Sequence, residues 1–113
     1  MSEDLLRRAY AAFNARDIDG ALALMHPDVD WPNGMEGGRE HGHAAVRAYW
    51  ERQFAAVDSQ ADPEAFEELP DGRMSVTVHI RARNPAGEVV WDERVRHVYE
   101  LRDGLIVRMD IDP

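Results

Sequence analysis

The sequence has no cysteine, no lysine and no long apolar run among its 113 residues. Without cysteine, disulfides, thiolate nucleophiles and cysteine-based metal sites are excluded. No segment approaches the ~20 apolar residues that a bilayer-spanning helix needs, and the acidic start Met1–Asp4 lacks the apolar core of a secretory signal. These absences predict a cytoplasmic protein, and arginine at all 13 basic positions indicates a GC-rich genome.

Positive charge is also scarce, since 22 acidic residues against 13 basic ones give a net charge of −9. Such a chain repels phosphate backbones and anionic membrane surfaces, so we expect neither nucleic acid nor membrane as a partner. The length suits one domain, residues 1–113, around a single core. The apolar fraction of 44% is ordinary for a globular protein.

Several motifs of known chemistry are missing. The glycines between Asn33 and Gly42 match neither phosphate-binding pattern, and His41 and His43 lack the i,i+4 spacing of helical metal ligands. No serine lies in a nucleophile elbow. The sequence therefore predicts no cofactor and no metal ion, and the glycine-rich segment is interpreted as a mobile lid.

Helical periodicity dominates the first half of the chain. A stripe through Leu6, Ala9, Tyr10 and Phe13 predicts a first helix. Asp17 is expected to cap a second, short helix running to about residue 25. A third helix is predicted by apolar residues along one face: Val46, Tyr49, Trp50, Phe54 and Val57.

The period then changes to two, which is typical of strands. Residues 59–63 are interpreted as a linker, and strands are predicted over 64–69, from 74 onward, 88–101 and 105–112. Short connections make neighbouring strands antiparallel. Helices followed by such a meander predict an α+β domain, with a curved antiparallel sheet packed on three N-terminal helices.

The end of the chain suggests chemistry. Asp103-Gly104 between apolar runs predicts a two-residue hairpin turn. In a regular ladder counted back from this turn, His97 lies opposite Asp110. An imidazole beside a carboxylate is a candidate acid/base pair near neutral pH.

That register conflicts with the apolar pattern of the last strand, whose Leu105, Val107, Met109 and Ile111 would face away from His97. Two explanations are open. Both sheet faces are partly buried, one of them by a partner subunit in a homodimer, or a β-bulge flips the last strand and separates Asp110 from His97.

The segments Tyr10–Ile18, Met25–Trp31, His41–Trp50 and His97–Ile106 follow one another in an order that resembles the nuclear transport factor 2-like superfamily. Within it, the chain resembles the SnoaL-like polyketide cyclases and the ketosteroid-isomerase-like proteins. The resemblance implies a cone-shaped α+β barrel with a pocket between sheet and helices, and often a homodimer packed through the outer sheet face.

The resemblance also implies site residues. The catalytic positions of the steroid isomerases hold Ala9, Asn33 (or Trp31) and His97 here, and none matches. Cyclase-like members place a His where His97 lies and an Asp on the last strand, for which Asp110 and Asp112 are the two possible matches. The catalytic candidates are His97 with Asp110, the residue opposite it in the regular ladder. The expected pocket-lining, substrate-binding candidates are Tyr10, Trp31, Tyr49, Trp50, Tyr99 and Met109, and ordinary core packing is the alternative role for the aromatic ones.

The sequence thus predicts a small-molecule pocket for an apolar or aromatic carbonyl compound, with cofactor-free acid/base catalysis (cyclisation, isomerisation or dehydration) by His97 and Asp110. Two alternatives stay open at this point: a non-catalytic binder of a small hydrophobic ligand, and a dimerising interaction module with a vestigial pocket. This superfold hosts all three classes.

Overall fold

Residues 2–112 fold into three helices and a six-stranded sheet, which confirms the predicted α+β class. The computed structural model describes residues 2–112, apart from the side chain of Ser2. The helices and strands are α1 Ser2–Asn14, α2 Ile18–Leu22, β1 Met25–Pro32, β2 Arg39–His41, α3 His43–Ala56, β3 Asp58–Glu68, β4 Met74–Arg83, β5 Val89–Arg102 and β6 Leu105–Asp112. None of the described helices is both long and apolar enough to cross a membrane.

The strand order across the sheet is β2-β1-β6-β5-β4-β3. Strands β3 to β6 form the predicted antiparallel meander, but β1 runs parallel to β6. The prediction of a wholly antiparallel sheet is wrong at this pair, because most of the chain separates the two strands and no hairpin fixes their direction. Within the described chain the edge strands β2 and β3 do not pair, so the curved sheet is not closed into a barrel.

Two segments predicted as linker or loop contain strands. Residues 59–63 belong to β3, which pairs with β4 and shifts its register just after Pro63. A proline is tolerated there because β3 is an edge strand. The glycine-rich segment contains β2, which pairs with the end of β1.

The second helix is capped as predicted. The Gly20 amide donates a hydrogen bond of 2.9 Å to Asp17 Oδ1. The helix ends at Leu22 rather than near residue 25, because Met25 already pairs with Ile106 at the start of β1.

The terminal hairpin has the predicted turn and then departs from the regular ladder. Asp103 and Gly104 both have positive φ, 54° and 75°, as a two-residue type I′ turn requires. Beyond the turn the register shifts between Glu100 and Leu101, and the last strand continues with one additional residue. This is the β-bulge, one of the two explanations left open by the sequence.

The bulge separates the predicted catalytic pair. His97 lies opposite Ile111, and Asp110 lies opposite Val98. Because side chains alternate between sheet faces, Asp110 is on the other face from His97, so the predicted pairing of His97 with Asp110 is wrong. The same shift brings Met109 opposite Tyr99 on the inner face.

The core lies between the inner sheet face and the helices. The predicted stripes of α1 and α3 supply buried Leu6, Tyr10, Val46, Tyr49 and Trp50, and the strands supply Val29, Val76, Val78 and Ile106. Burying a side chain of this size stabilises the fold by roughly 1.5–3 kcal/mol. The helices thereby fix the position of the inner sheet face.

The outer sheet face carries ion pairs. His79 Nε2 lies 2.6 Å from Asp92 Oδ1, and Arg94 Nε donates to Glu64 Oε1 at 2.8 Å. The regular ladder placed apolar side chains on both faces of the sheet, which suggested that a partner subunit covers one face. Because the bulge turns Met109 to the inner face, that apolar pattern is explained without a covering subunit. The homodimer stays a prediction.

Candidate functional site

A hollow lies between α1, α3, β1 and the inner face of the sheet, with a cavity volume of about 100 Å³. This is several times the space that one water molecule occupies. Seven of the eight predicted site residues line it: Tyr10, Trp31, Tyr49, Trp50, His97, Tyr99 and Met109. Their part in binding stays a prediction, while Asp110 lies outside this hollow.

The described lining of the hollow includes seven Phe, Tyr and Trp side chains. Trp31 meets Trp50 edge-on, with ring centroids 5.5 Å apart, and lies 6.3 Å from Tyr99. Phe13 meets Trp50 edge-on at 5.7 Å. Such pairs hold the rings in fixed orientations, so the hollow has a rigid, apolar surface suited to a flat molecule.

The polar end of the hollow is a chain of three side chains. The Tyr99 hydroxyl donates to the Tyr10 oxygen at 2.7 Å, and the Tyr10 hydroxyl lies 2.7 Å from His97 Nδ1. The Tyr10 and His97 rings are stacked with centroids 5.9 Å apart and an interplanar angle of 13°. All three residues are buried.

Burial dominates the ionisation of this chain. It lowers the pKa of His97 from 6.5 to about 4, because the charged imidazolium loses its hydration. Burial likewise raises the pKa of Tyr99, and it raises that of Tyr10 with a further contribution from the neighbouring Tyr99. At neutral pH the three side chains Tyr99, Tyr10 and His97 are therefore all uncharged. His97 does not form an imidazolium stabilised by a carboxylate.

Asp110 belongs to an ion-pair network on the outer face instead. Arg108 Nε donates to Asp110 Oδ2 at 2.8 Å, and Arg39 Nη1 donates to Asp110 Oδ1 at 3.1 Å. Both arginines also bind Asp30, at 2.9 and 2.6 Å. Arg108, and to a smaller extent Arg39, lower the pKa of Asp110. This network joins β1, β2 and β6 and has no contact with His97.

Asn33, one of the two residues that the resemblance to steroid isomerases suggested for the base position, supports a loop. Its Oδ1 accepts from the Glu36 amide at 2.7 Å, and its Nδ2 donates to Glu36 and Glu40 at 3.1 and 2.9 Å. Its backbone amide donates to Gly38 O at 3.0 Å. The glycine-rich segment interpreted as a mobile lid is therefore tied down around a buried asparagine.

A second, more open hollow of about 350 Å³ adjoins the first and shares Tyr49, Gln53, Ser59 and Trp91 with it. Gln53 Nε2 donates to Ser59 Oγ at 3.2 Å, and exposed Val90 lies at the rim. Sequence reasoning identified Tyr49 but did not identify Gln53, Ser59 and Trp91 as lining residues. Alternation along β5 from His97 would have identified Trp91, whereas no pattern identifies Gln53 or Ser59.

Neither hollow offers an evident metal site. Among residues 2–112, no group of three or more His, Asp or Glu side chains is arranged to hold a metal ion. The described residues lining the inner hollow include no carboxylate. What the arrangement can do is enclose an uncharged aromatic molecule and hydrogen-bond one polar atom of it.

Comparison with known proteins agrees with this architecture. The SnoaL-like domain model matches residues 6–109. TerC, co-crystallised with polyporic acid, is 30% identical over 97% of this chain and 88% of its own, with a TM-score of 0.84. An NTF2-like protein of unknown function from Burkholderia pseudomallei is 29% identical over the same shares, also with a TM-score of 0.84.

A Mycobacterium tuberculosis protein in complex with estradiol-17β-hemisuccinate shares the fold, with 21% identity, a TM-score of 0.83, and coverage of 96% of this chain and 89% of that one. No curated protein matches the sequence significantly. Because the family model spans nearly the whole described chain, this protein belongs to the SnoaL-like domain family.

Proposed function

We propose that this protein binds a small, flat, largely apolar aromatic molecule in the inner hollow, with one polar atom of the ligand at His97. The observation that carries the proposal is a wall of aromatic rings interrupted at one end by a single buried imidazole. Pockets of this composition, mostly apolar with a few convergent polar groups, are typical of small-molecule sites.

Two related structures support the ligand class. TerC was crystallised with polyporic acid, and the Mycobacterium tuberculosis protein with estradiol-17β-hemisuccinate. Both compounds are small organic molecules, so proteins that share this fold bind such ligands. For this chain they serve as probes.

The test uses intrinsic fluorescence, because all three tryptophans of the chain, Trp31, Trp50 and Trp91, line the hollow. We expect saturable quenching on titration with polyporic acid or estradiol-17β-hemisuccinate. Ala9→Leu adds bulk to a lining position of α1 and should weaken binding by roughly tenfold, since overfilling a packed site costs about 1–3 kcal/mol.

The matched control is Ala11→Leu, the same substitution on the exposed side of the same helix. It should leave the affinity unchanged. Absence of saturable quenching with both compounds, or equal affinity of the Ala9 and Ala11 variants, would contradict binding in the hollow.

Acid/base catalysis on a carbonyl compound is the second candidate, favoured by the placement of a buried imidazole at the wall of a largely apolar cavity. His97 would have to act without Asp110, which pairs with arginines on the other sheet face. His97→Ala should then abolish turnover of a cyclisation, isomerisation or dehydration substrate while the fold persists. Unchanged rates in this variant would remove His97 from the mechanism.

The remaining predictions concern assembly. A dimerising interaction module would not need the empty space found beside His97, so this reading has less support than ligand binding. The expected homodimer is tested by sedimentation at tens of micromolar protein, where a monomer alone would contradict it.

A further inference from the structure

We infer that Tyr10 fixes the tautomer of His97, with the proton on Nε2, so that the hollow presents a hydrogen-bond donor and selects ligands with an acceptor oxygen. The fitting class is the ketone, quinone or ester carbonyl. The ligand half of this inference rests on the proposed function, whereas the tautomer is a property of the protein alone.

The number of hydrogens available to the three side chains determines which nitrogen of His97 is protonated. The chain Tyr99–Tyr10–His97 has two contacts, each 2.7 Å long, and each contact uses one hydrogen. The two hydroxyl groups supply two hydrogens. If Nδ1 also carried a hydrogen, three hydrogens would share two contacts, and one would be left without an acceptor in a buried position. Leaving a buried donor unsatisfied is costly, so Nδ1 accepts and Nε2 is protonated.

The other nitrogen is turned to the cavity. None of the described residues accepts a hydrogen bond from His97 Nε2. Every fully buried side-chain nitrogen or oxygen of the described residues does have a hydrogen-bond partner. His97 Nε2 is therefore not fully buried. Because His97 lines the hollow and is otherwise enclosed, its accessible edge is the one facing the cavity.

The donor meets little competition inside the cavity. The described lining of the inner hollow holds no carboxylate that could capture the Nε2 proton. Among its other polar side chains, Gln53 Nε2 donates to Ser59 Oγ and Gln60 Nε2 donates to Asp62 Oδ1. A ligand carbonyl is therefore the natural partner of Nε2, whereas a ligand whose polar group only donates would leave that proton unpaired.

The tautomer is tested by ¹⁵N NMR of the unliganded protein labelled at histidine, in which the protonated ring nitrogen is identified by its one-bond coupling to hydrogen. In the wild type we expect the proton of His97 on Nε2. Tyr10→Phe removes the donor to Nδ1 and should give a mixture of the two tautomers.

Tyr99→Phe is the matched control. It also deletes a buried hydroxyl of the same chain, but it leaves one hydrogen for the one remaining contact, so the Nε2 proton should persist. A general loss of packing would affect both variants alike. A wild-type proton on Nδ1 overturns the inference even if Tyr10→Phe does not fold, and so does an unchanged tautomer in folded Tyr10→Phe.

The ligand class is tested with two probes of nearly equal shape, 2-acetylnaphthalene and 2-isopropenylnaphthalene, which differ by a carbonyl oxygen in place of a methylene. We expect the ketone to bind about fivefold more tightly to the wild type, which corresponds to one ordinary net hydrogen bond, and to lose part of this preference in Tyr10→Phe. Equal affinities overturn the acceptor selectivity. If neither probe binds, the proposed function is contradicted. The NMR result still decides the tautomer of His97, because the tautomer does not depend on a ligand.

Discussion

Replacing His97 with glutamine should remove most of an acid-dependent loss of stability in this protein. Burial lowers the pKa of His97 from 6.5 to about 4. Between these values an unfolded chain binds a proton at this position and the folded chain does not, so acid favours unfolding. The stabilising effect of keeping His97 neutral is complete above pH 6.5 and is lost as the pH falls towards 4.

The magnitude follows from the same two values. At about 1.36 kcal/mol per pH unit, the difference between 6.5 and about 4 amounts to about 3.4 kcal/mol in total. By pH 5 the expected loss of unfolding free energy is about 2 kcal/mol relative to pH 8. This is a large share of the stability of a domain of this size, which is typically ~5–15 kcal/mol.

The assay is urea unfolding at pH 8 and pH 5, in wild type and in His97→Gln. Glutamine does not titrate, and its carbonyl can still accept from Tyr10, so the variant removes the titration while keeping an acceptor at Nδ1. The other four histidines are present in both proteins, so any contribution from them cancels in the comparison. Equal pH dependence of the two proteins would refute the buried, uncharged state of His97.

Three further changes test other parts of the structure. Gly104→Ala places a β-carbon on a residue whose φ is 75°. It should lower the free energy of unfolding, measured with urea, by about 1–2 kcal/mol. Arg108→Met removes an arginine from the partly exposed ion-pair network of the outer face. It should lower the free energy of unfolding by less than about 1 kcal/mol, and the effect should be smaller at high salt. Asn33→Ala leaves the Glu36 amide without its acceptor and should speed hydrogen exchange at that amide severalfold, with exchange in β4 unchanged.

Much of the fold follows from local signals in the sequence. The Asp103-Gly104 turn has the backbone angles that its residues favour, and the Asp17 side chain caps α2 as expected. The apolar stripe of α3 is buried at Val46, Tyr49 and Trp50. These features depend on neighbours within a few residues, so composition and spacing suffice to predict them.

The site was harder to predict because it depends on distant contacts. The turn fixes the register only for the first pairs, and the extra residue after Ile106 moves Asp110 to the opposite face from His97. The apolar alternation of β6 indicated this shift, because a buried Met109 requires that position to face the core. The direct hydrogen bond between Tyr10 and His97 joins residues 87 positions apart, and no local pattern encodes it.

If His97 directs Nε2 into an aromatic hollow that accepts a small ligand, a crystal structure of the protein soaked with 2-acetylnaphthalene shows it most directly. We expect the naphthalene between Trp31 and Tyr99, with its carbonyl oxygen within about 3.2 Å of His97 Nε2. A ligand bound elsewhere on the surface, or an imidazole turned away from an empty cavity, would contradict it.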